Sequence, residues 1–182
     1  SALPSNTLAV MNGLALDCKA RNVLGKEIEI EVSTFAETTM RVRPERLARR
    51  FAGTRGLVVL VGVQSNQFPR ALDMARPLRV RGVQVCFGGF HVSGCLAMLP
   101  GLTPELQQAL DLGISLYAGE AEGRFDEVLR DAWRGTLQPV YNYLSDPPAL
   151  EGTTLPMLPA SRIKRTGGRL TSLDAGRGCP FQ

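Results

Sequence analysis

The residues best placed to do chemistry fall in three short runs and one isolated position. Gln64-Ser65-Asn66-Gln67 is a polar tetrad directly after an apolar run, Leu57 to Val63. Gly88-Gly89 precedes the chain's single histidine, His91, with Val92 beside it. Gly119-Glu120-Ala121-Glu122 follows another apolar run, and Cys179 stands within Gly176-Arg177-Gly178-Cys179-Pro180-Phe181-Gln182. Amides, a hydroxyl and glycines suit the holding of a ligand more than bond breaking. Glu120 and Glu122 have the types of an acid/base pair, but acids at a helix start also interact favourably with its dipole, and that reading is the simpler one. Several chemistries lack their residues altogether: no GxGxxG follows a strand, and neither GxxxxGK[ST] nor GxSxG occurs. One histidine excludes a multi-histidine zinc site and gives Ser-His-Asp chemistry no support.

The elements that must carry these runs alternate. Leu57 to Val63 is Val-rich without polar alternation, as in a strand covered on both faces of a parallel sheet. Pro69 suits a helix's first turn, and Phe68, Ala71, Leu72, Ala75 and Leu78 repeat at helical spacing up to Gly82, with Pro77 expected to kink or split that helix. Val83 to Phe87 is a second buried strand, completing a βαβ unit. Thr103 caps a helix to Leu112, Ile114 to Ala118 is a strand, a helix runs from about Glu122 to Trp133, and Pro139 to Tyr143 is a weak last strand. Upstream, Ser5 or Asn6 caps a helix over Thr7 to Val23, Lys26 to Val32 alternates like an edge strand with one wet face, and Arg43 to Phe51 is a short basic helix. This order predicts an α/β fold: a doubly wound, Rossmann-like (flavodoxin-like) parallel sheet. Ligands bind such sheets at the carboxyl ends of the strands, where the three runs fall. Beyond about residue 144, Pro147, Pro148, Pro156 and Pro159 mark a Pro-rich C-terminal extension read as a linker.

Composition narrows the class. A hydrophobic share of 44% with 21% charged residues belongs to an ordinary globular chain, and no stretch approaches the about 20 apolar residues of a membrane span. The arginines around 41–55 have no interleaved aromatics to stack on bases, so they read as a solvated helix face and no nucleic-acid partner is expected. Cys18, Cys86, Cys95 and Cys179 show no CxxC spacing, which points to a reducing, cytoplasmic compartment, with Cys86 a small buried hydrophobe. His91 has no carboxylate two residues before it to orient its ring, so it is expected to line a pocket and not to hold a metal.

Cys179 with its neighbours resembles the start of the CxxxCxxC loop of radical S-adenosylmethionine enzymes. Together with the strand running into Gln64–Gln67, the glycine pair before His91, the Gly119–Glu122 turn and the Pro-rich connector, the chain resembles the N-terminal part of a cobalamin-binding radical S-adenosylmethionine enzyme. The resemblance implies a cobalamin-binding domain over 1–144, a linker over 145–169, and the start of a radical domain over 170–182. It implies cobalamin bound by Gln64, Ser65, Asn66, Gln67, Gly88, Gly89, His91, Val92, Gly119 and Glu120, with a Cβ at either glycine of the pair colliding with the ligand. It also implies Cys179 as first ligand of a [4Fe–4S] cluster shared with S-adenosylmethionine, whose remaining cysteines lie in a missing radical domain of the same chain. The cobalamin-ligating DxHxxG loop is absent, which implies a cobalt with no protein histidine beneath it. Cobalamin chemistry, most simply methyl transfer to an unactivated carbon, belongs then to the longer enzyme, this portion binding without turnover. Apolar surface near Leu155, Met157 and Leu158 is expected where the missing part docks, and a strand is expected upstream of Thr7. The competing reading is a flavodoxin-like ligand-binding or signalling module without catalytic activity. A signalling receiver wants acids at its strand ends, and a flavin module wants a Ser/Thr-rich phosphate loop of which only Ser65 is present.

Overall fold

The computed structural model describes residues 4–51, 54–149 and 151–166. Four parallel strands, β1 (Leu57–Leu60), β2 (Gln84–Gly88), β3 (Ser115–Ala118) and β4 (Val140–Asn142), lie in the order β1-β2-β3-β4. The register pairs Val59 with Cys86, Cys86 with Ser115, and Tyr117 with Tyr141. Helices cover both faces, so the architecture is the Rossmann-like α/β layer read from the alternating pattern.

One face carries α3 (Phe68–Val80), α4 (Phe90–Met98) and α5 (Pro104–Asp111). Phe68, Leu72 and Leu78 of α3, Val92 of α4 and Leu106 of α5 close on Val85, Phe87 and Leu116 of the sheet. Each such side chain removed from water stabilises the layer by about 1.5–3 kcal/mol. α3 runs unbroken through Pro77, so the expected split does not occur. Pro77 lies in the last turn, where the helix gives up only one late hydrogen bond, and Leu78 behind it is fully buried.

The other face carries α1 (Asn6–Ala20) and α6 (Phe125–Arg134), whose Val10, Leu14, Phe125 and Val128 pack on Cys86, Tyr117 and Tyr141. Ser5 caps α1 through its hydroxyl to the Leu8 amide, and Gly135 ends α6 in the left-handed conformation, φ 76°. The β3–β4 connection through α6 crosses this second face, while the strand order continues in one direction. Its hand is therefore opposite to that of the two earlier crossovers, a departure from the uniform hand such connections normally keep.

Two expected features differ. Lys26 to Val32 forms no strand: Ile28, Ile30 and Val32 do turn inward and Glu27, Glu29 and Glu31 outward, but the segment has no ladder partner. Alternation reports which side is buried and says nothing about pairing. Two arginines pair with acids of this segment, and just beyond it, at the surface. α2 (Pro44–Arg50) sends Arg50 to Glu31 at 3.1 Å, and Arg70 of α3 grips Glu37 through two hydrogen bonds of 2.8 and 3.2 Å. The second difference is the Pro-rich connector, which is strapped across α1. The Met157 amide donates to the Ala9 carbonyl at 2.9 Å, and buried Asn12 donates to the Met157 carbonyl at 2.8 Å. The side chains of Leu155 and Met157 face solvent. A short helix, α7 (Ala160–Ile163), then follows, with Arg162 over the Phe35 ring.

Candidate functional site

The three runs meet at the carboxyl ends of the strands. After β1, Gly62 takes a left-handed turn (φ 64°), and Ser65–Gln67 forms a single 3-10 turn that opens α3. The Gln67 carboxamide oxygen accepts from the Gln64 amide at 3.2 Å, and all four residues Gln64–Gln67 are exposed. The loop after β2 is zipped to this one: the Val63 amide donates to the Gly88 carbonyl at 3.2 Å, and the His91 amide to the Val63 carbonyl at 3.0 Å. The loop after β3 joins them through the Gly119 amide, which donates to Ser93 Oγ at 3.2 Å. The Tyr117 hydroxyl donates to the Glu120 carbonyl at 2.9 Å, and Tyr143 donates to the Glu127 carboxylate at 2.6 Å. Arg124 pairs with Asp146 and lies 5.0 Å from the centre of the Tyr143 ring, closing this side with charge.

The glycines let the loops approach one another. Gly89 sits at φ 136°, and a Cβ there would lie 2.7 Å from the Gly62 carbonyl carbon of the neighbouring loop. Gly119 (φ 102°) likewise lets Tyr143 approach, a Cβ falling 2.9 Å from its carbonyl carbon. At Gly88 a Cβ would make an ordinary 3.7 Å contact with Tyr117. Val92 is fully buried in the core, so no ligand reaches its side chain. Cys179, the expected cluster ligand, lies outside the described residues.

His91 does not stand in a loop at all. Gly89 leads straight into α4, which buries the ring against Phe68 at 4.6 Å between centroids. Its Nδ1 is 3.0 Å from Ser65 Oγ, and its Nε2 is 3.5 Å from the Glu105 carboxylate. Cys95, one helical turn on, brings its Sγ to 3.9 Å from Nε2. Burial, and then the Glu105 charge, push the Cys95 thiol up, against a hydrogen bond from Thr103. Sequence reasoning missed Cys95 and Glu105. The i, i+4 spacing of His91 and Cys95 was the available signal, hidden because residues 89–94 read as a loop.

Two cavities lie elsewhere on the sheet. A groove of about 930 Å³ starts at Gln64 and Gln67 and runs along the outer edge of β1, between it and the extended 28–37 segment. Its walls mix apolar groups (Val58, Leu60, Ile30, Met74) with Ser33 and Thr34. A second cavity of about 660 Å³, lined by Arg55, Arg79, Arg81 and Trp133, opens at the amino ends of the strands, opposite to the end where α/β sheets take ligands.

The alternating elements and the all-parallel sheet define a Rossmann-like α/β domain. No protein-family model and no curated protein matches the chain. Among solved structures, it is similar to the N-terminal domain of a hypothetical protein of Thermotoga maritima, at 15% identity and a TM-score of 0.45 over 76% of this chain and 93% of that one. No helix among the described residues is long and apolar enough to cross a membrane.

Proposed function

We propose that this chain is the cobalamin-binding part of a cobalamin-dependent radical S-adenosylmethionine enzyme, a methyltransferase in its full length. The observation that carries the reading is the groove: it begins at the polar tetrad after β1, at the sheet end where three loops are laced together, and continues along an apolar strand edge. A volume of about 930 Å³ lies in the range of small-molecule sites. The residues fit a ligand that is polar at one end and flat and apolar at the other, as cobalamin's nucleotide tail is. Bound cobalamin supplies a cobalt-borne methyl group for transfer.

The chain's own part is binding and orientation. Gln64 and Gln67 offer amide donors and acceptors at the groove mouth, and behind them, outside the groove lining, the Ser65 hydroxyl contacts His91 Nδ1. Gly89 acts one step back, by letting the second loop lie on the first, and the Gly88 carbonyl accepts from the Val63 amide. Gly119 and Glu120 close the neighbouring side. His91 has one ring nitrogen on Ser65 and the other facing Glu105, which supports a cobalt without a histidine beneath it. Cys179 would be the first ligand of the [4Fe–4S] cluster of the radical domain.

Calorimetric titration with hydroxocobalamin tests this on the chain and on a Gln64→Ala/Gln67→Ala double variant. Each lost hydrogen bond is worth about 0.5–1.5 kcal/mol, so the double variant is expected to bind about tenfold more weakly with unchanged stoichiometry. Equal affinity for both proteins would place the cofactor elsewhere.

A further inference from the structure

We propose that His91, Cys95 and Glu105 form a binding site for a zinc-type transition-metal ion, separate from the groove and independent of the cobalamin reading. α4 sets His91 and Cys95 four residues apart, hence on one side of the helix, and the first turn of α5 brings Glu105 to them. α5 is held in place by its cap, the Thr103 hydroxyl accepting from the Leu106 amide at 3.4 Å. Imidazole, thiol and carboxylate ligand atoms all lie within 4.8 Å of one another. None of the three residues lines the groove.

The spacing matches a metal better than it matches a hydrogen-bonded cluster. The Nε2–carboxylate separation is 3.5 Å and the thiol–imidazole separations are 3.8 and 3.9 Å. A nitrogen and an oxygen bonded to each other through a proton sit at about 2.7–3.2 Å, so His91 and Glu105 converge without closing on one another, with the Cys95 thiol in long contact beside them. Zinc bonds of about 2.0–2.3 Å in a tetrahedron hold their ligand atoms about 3.3–3.7 Å apart; the Nε2–carboxylate separation of 3.5 Å falls in that range, the Nε2–thiol separation of 3.9 Å lies just above it, and small side-chain shifts bring all three atoms from within 4.8 Å onto one ion. The mixed N, S, O set selects zinc and its transition-metal neighbours over magnesium or calcium, which take oxygen ligands. Ser65 occupies Nδ1 and so presents Nε2 to the site, the orienting contact such ligands need. His91 is buried while Cys95 and Glu105 are only half-buried, which leaves the fourth coordination position open to water or a ligand. On binding, the Cys95 thiol passes its proton to solvent and the sulfur becomes a thiolate ligand.

The test is a cobalt(II) titration of the chelator-treated chain, repeated in a Cys179→Ser background so that the tail thiol contributes nothing. One equivalent is expected, with a thiolate-to-cobalt charge-transfer band in the near ultraviolet and the intense visible bands of four-coordination, both removed by zinc. Cys95→Ser abolishes the charge-transfer band, and Glu105→Gln and Ser65→Ala weaken binding by about tenfold or more. Far-ultraviolet circular dichroism checks that these near-isosteric variants stay folded. A charge-transfer band that survives Cys95→Ser, a weak six-coordinate spectrum, or equal affinity in all variants would overturn the proposal.

Discussion

At the residue scale, Gly89 and Ser65 carry opposite burdens. Gly89 joins β2 to α4 in a conformation open almost only to glycine, and its backbone lies directly on Gly62. Backbone strain there costs about 1–3 kcal/mol before the overlap with Gly62 is counted. Gly89→Ala is expected to lower stability by about 3 kcal/mol or more, seen as a shifted urea midpoint at unchanged slope; Gly88→Ala, with an ordinary contact, is expected to shift it by less than about 1 kcal/mol. Similar shifts for both would refute the loop-packing role. A bulky side chain at Gly89 is for the same reason a poor probe of ligand binding, because it damages the protein first. The sequence grouped the glycine pair with His91 at one strand end, where the structure places them. Their roles were not legible, because spacing along the chain does not reveal that the partner of Gly89 is Gly62 or that the carboxylate facing His91 comes from Glu105.

At the scale of elements, the strap over α1 gives the clearest expectation. A Cβ on Gly13 would fall 2.6 Å from the Leu155 carbonyl oxygen, so this turn of α1 accepts the strap only as glycine. Gly13→Val is expected to lift residues 154–157 and to speed cleavage at Leu155 by thermolysin several-fold, while the rest of the fold persists. An unchanged cleavage rate would contradict it. The connector was legible as a break in periodicity, and its Pro content suggested a spacer. What fixes it to α1 is two backbone contacts and Asn12, none of which leaves a pattern in sequence. α4 was missed in a related way: Gly89, Gly94 and a β-branched Val92 lower local helix propensity, and burial of Val92 and His91 overrides it. The strands, by contrast, were read within a few residues of their observed limits because buried parallel strands are continuous apolar runs.

At the scale of the whole molecule, buried ionisable groups set a limit on alkaline stability. Burial pushes the Cys86 thiol up to about 12, and burial followed by the Asp126 charge takes Cys18 to about 11. Burial also raises Tyr117 and Tyr141. These groups stay protonated in the folded chain, whereas in the unfolded chain thiols ionise near about 8.5. Their contribution is complete below that pH and is lost as pH climbs toward 11–12. The melting temperature is expected to fall steadily from pH 9 to 11, and less so in Cys86→Ala; a flat profile would contradict the burial. The parallel α/β layer itself was evident from strand–helix alternation, but the open outer edge of β1 was not, since the alternating Lys26 to Val32 run read as a further edge strand. That open edge is what makes the groove.

The measurement that bears most directly on the account is a titration of the chain with cobalamin reduced to cob(II)alamin, read by electron paramagnetic resonance and by the visible spectrum, with flavin mononucleotide titrated in parallel. The account requires saturable one-to-one binding of cobalamin in a base-off form without histidine nitrogen coupling to cobalt, and no binding of the flavin. Flavin binding in place of cobalamin, binding of neither, or a histidine nitrogen on the cobalt would contradict it.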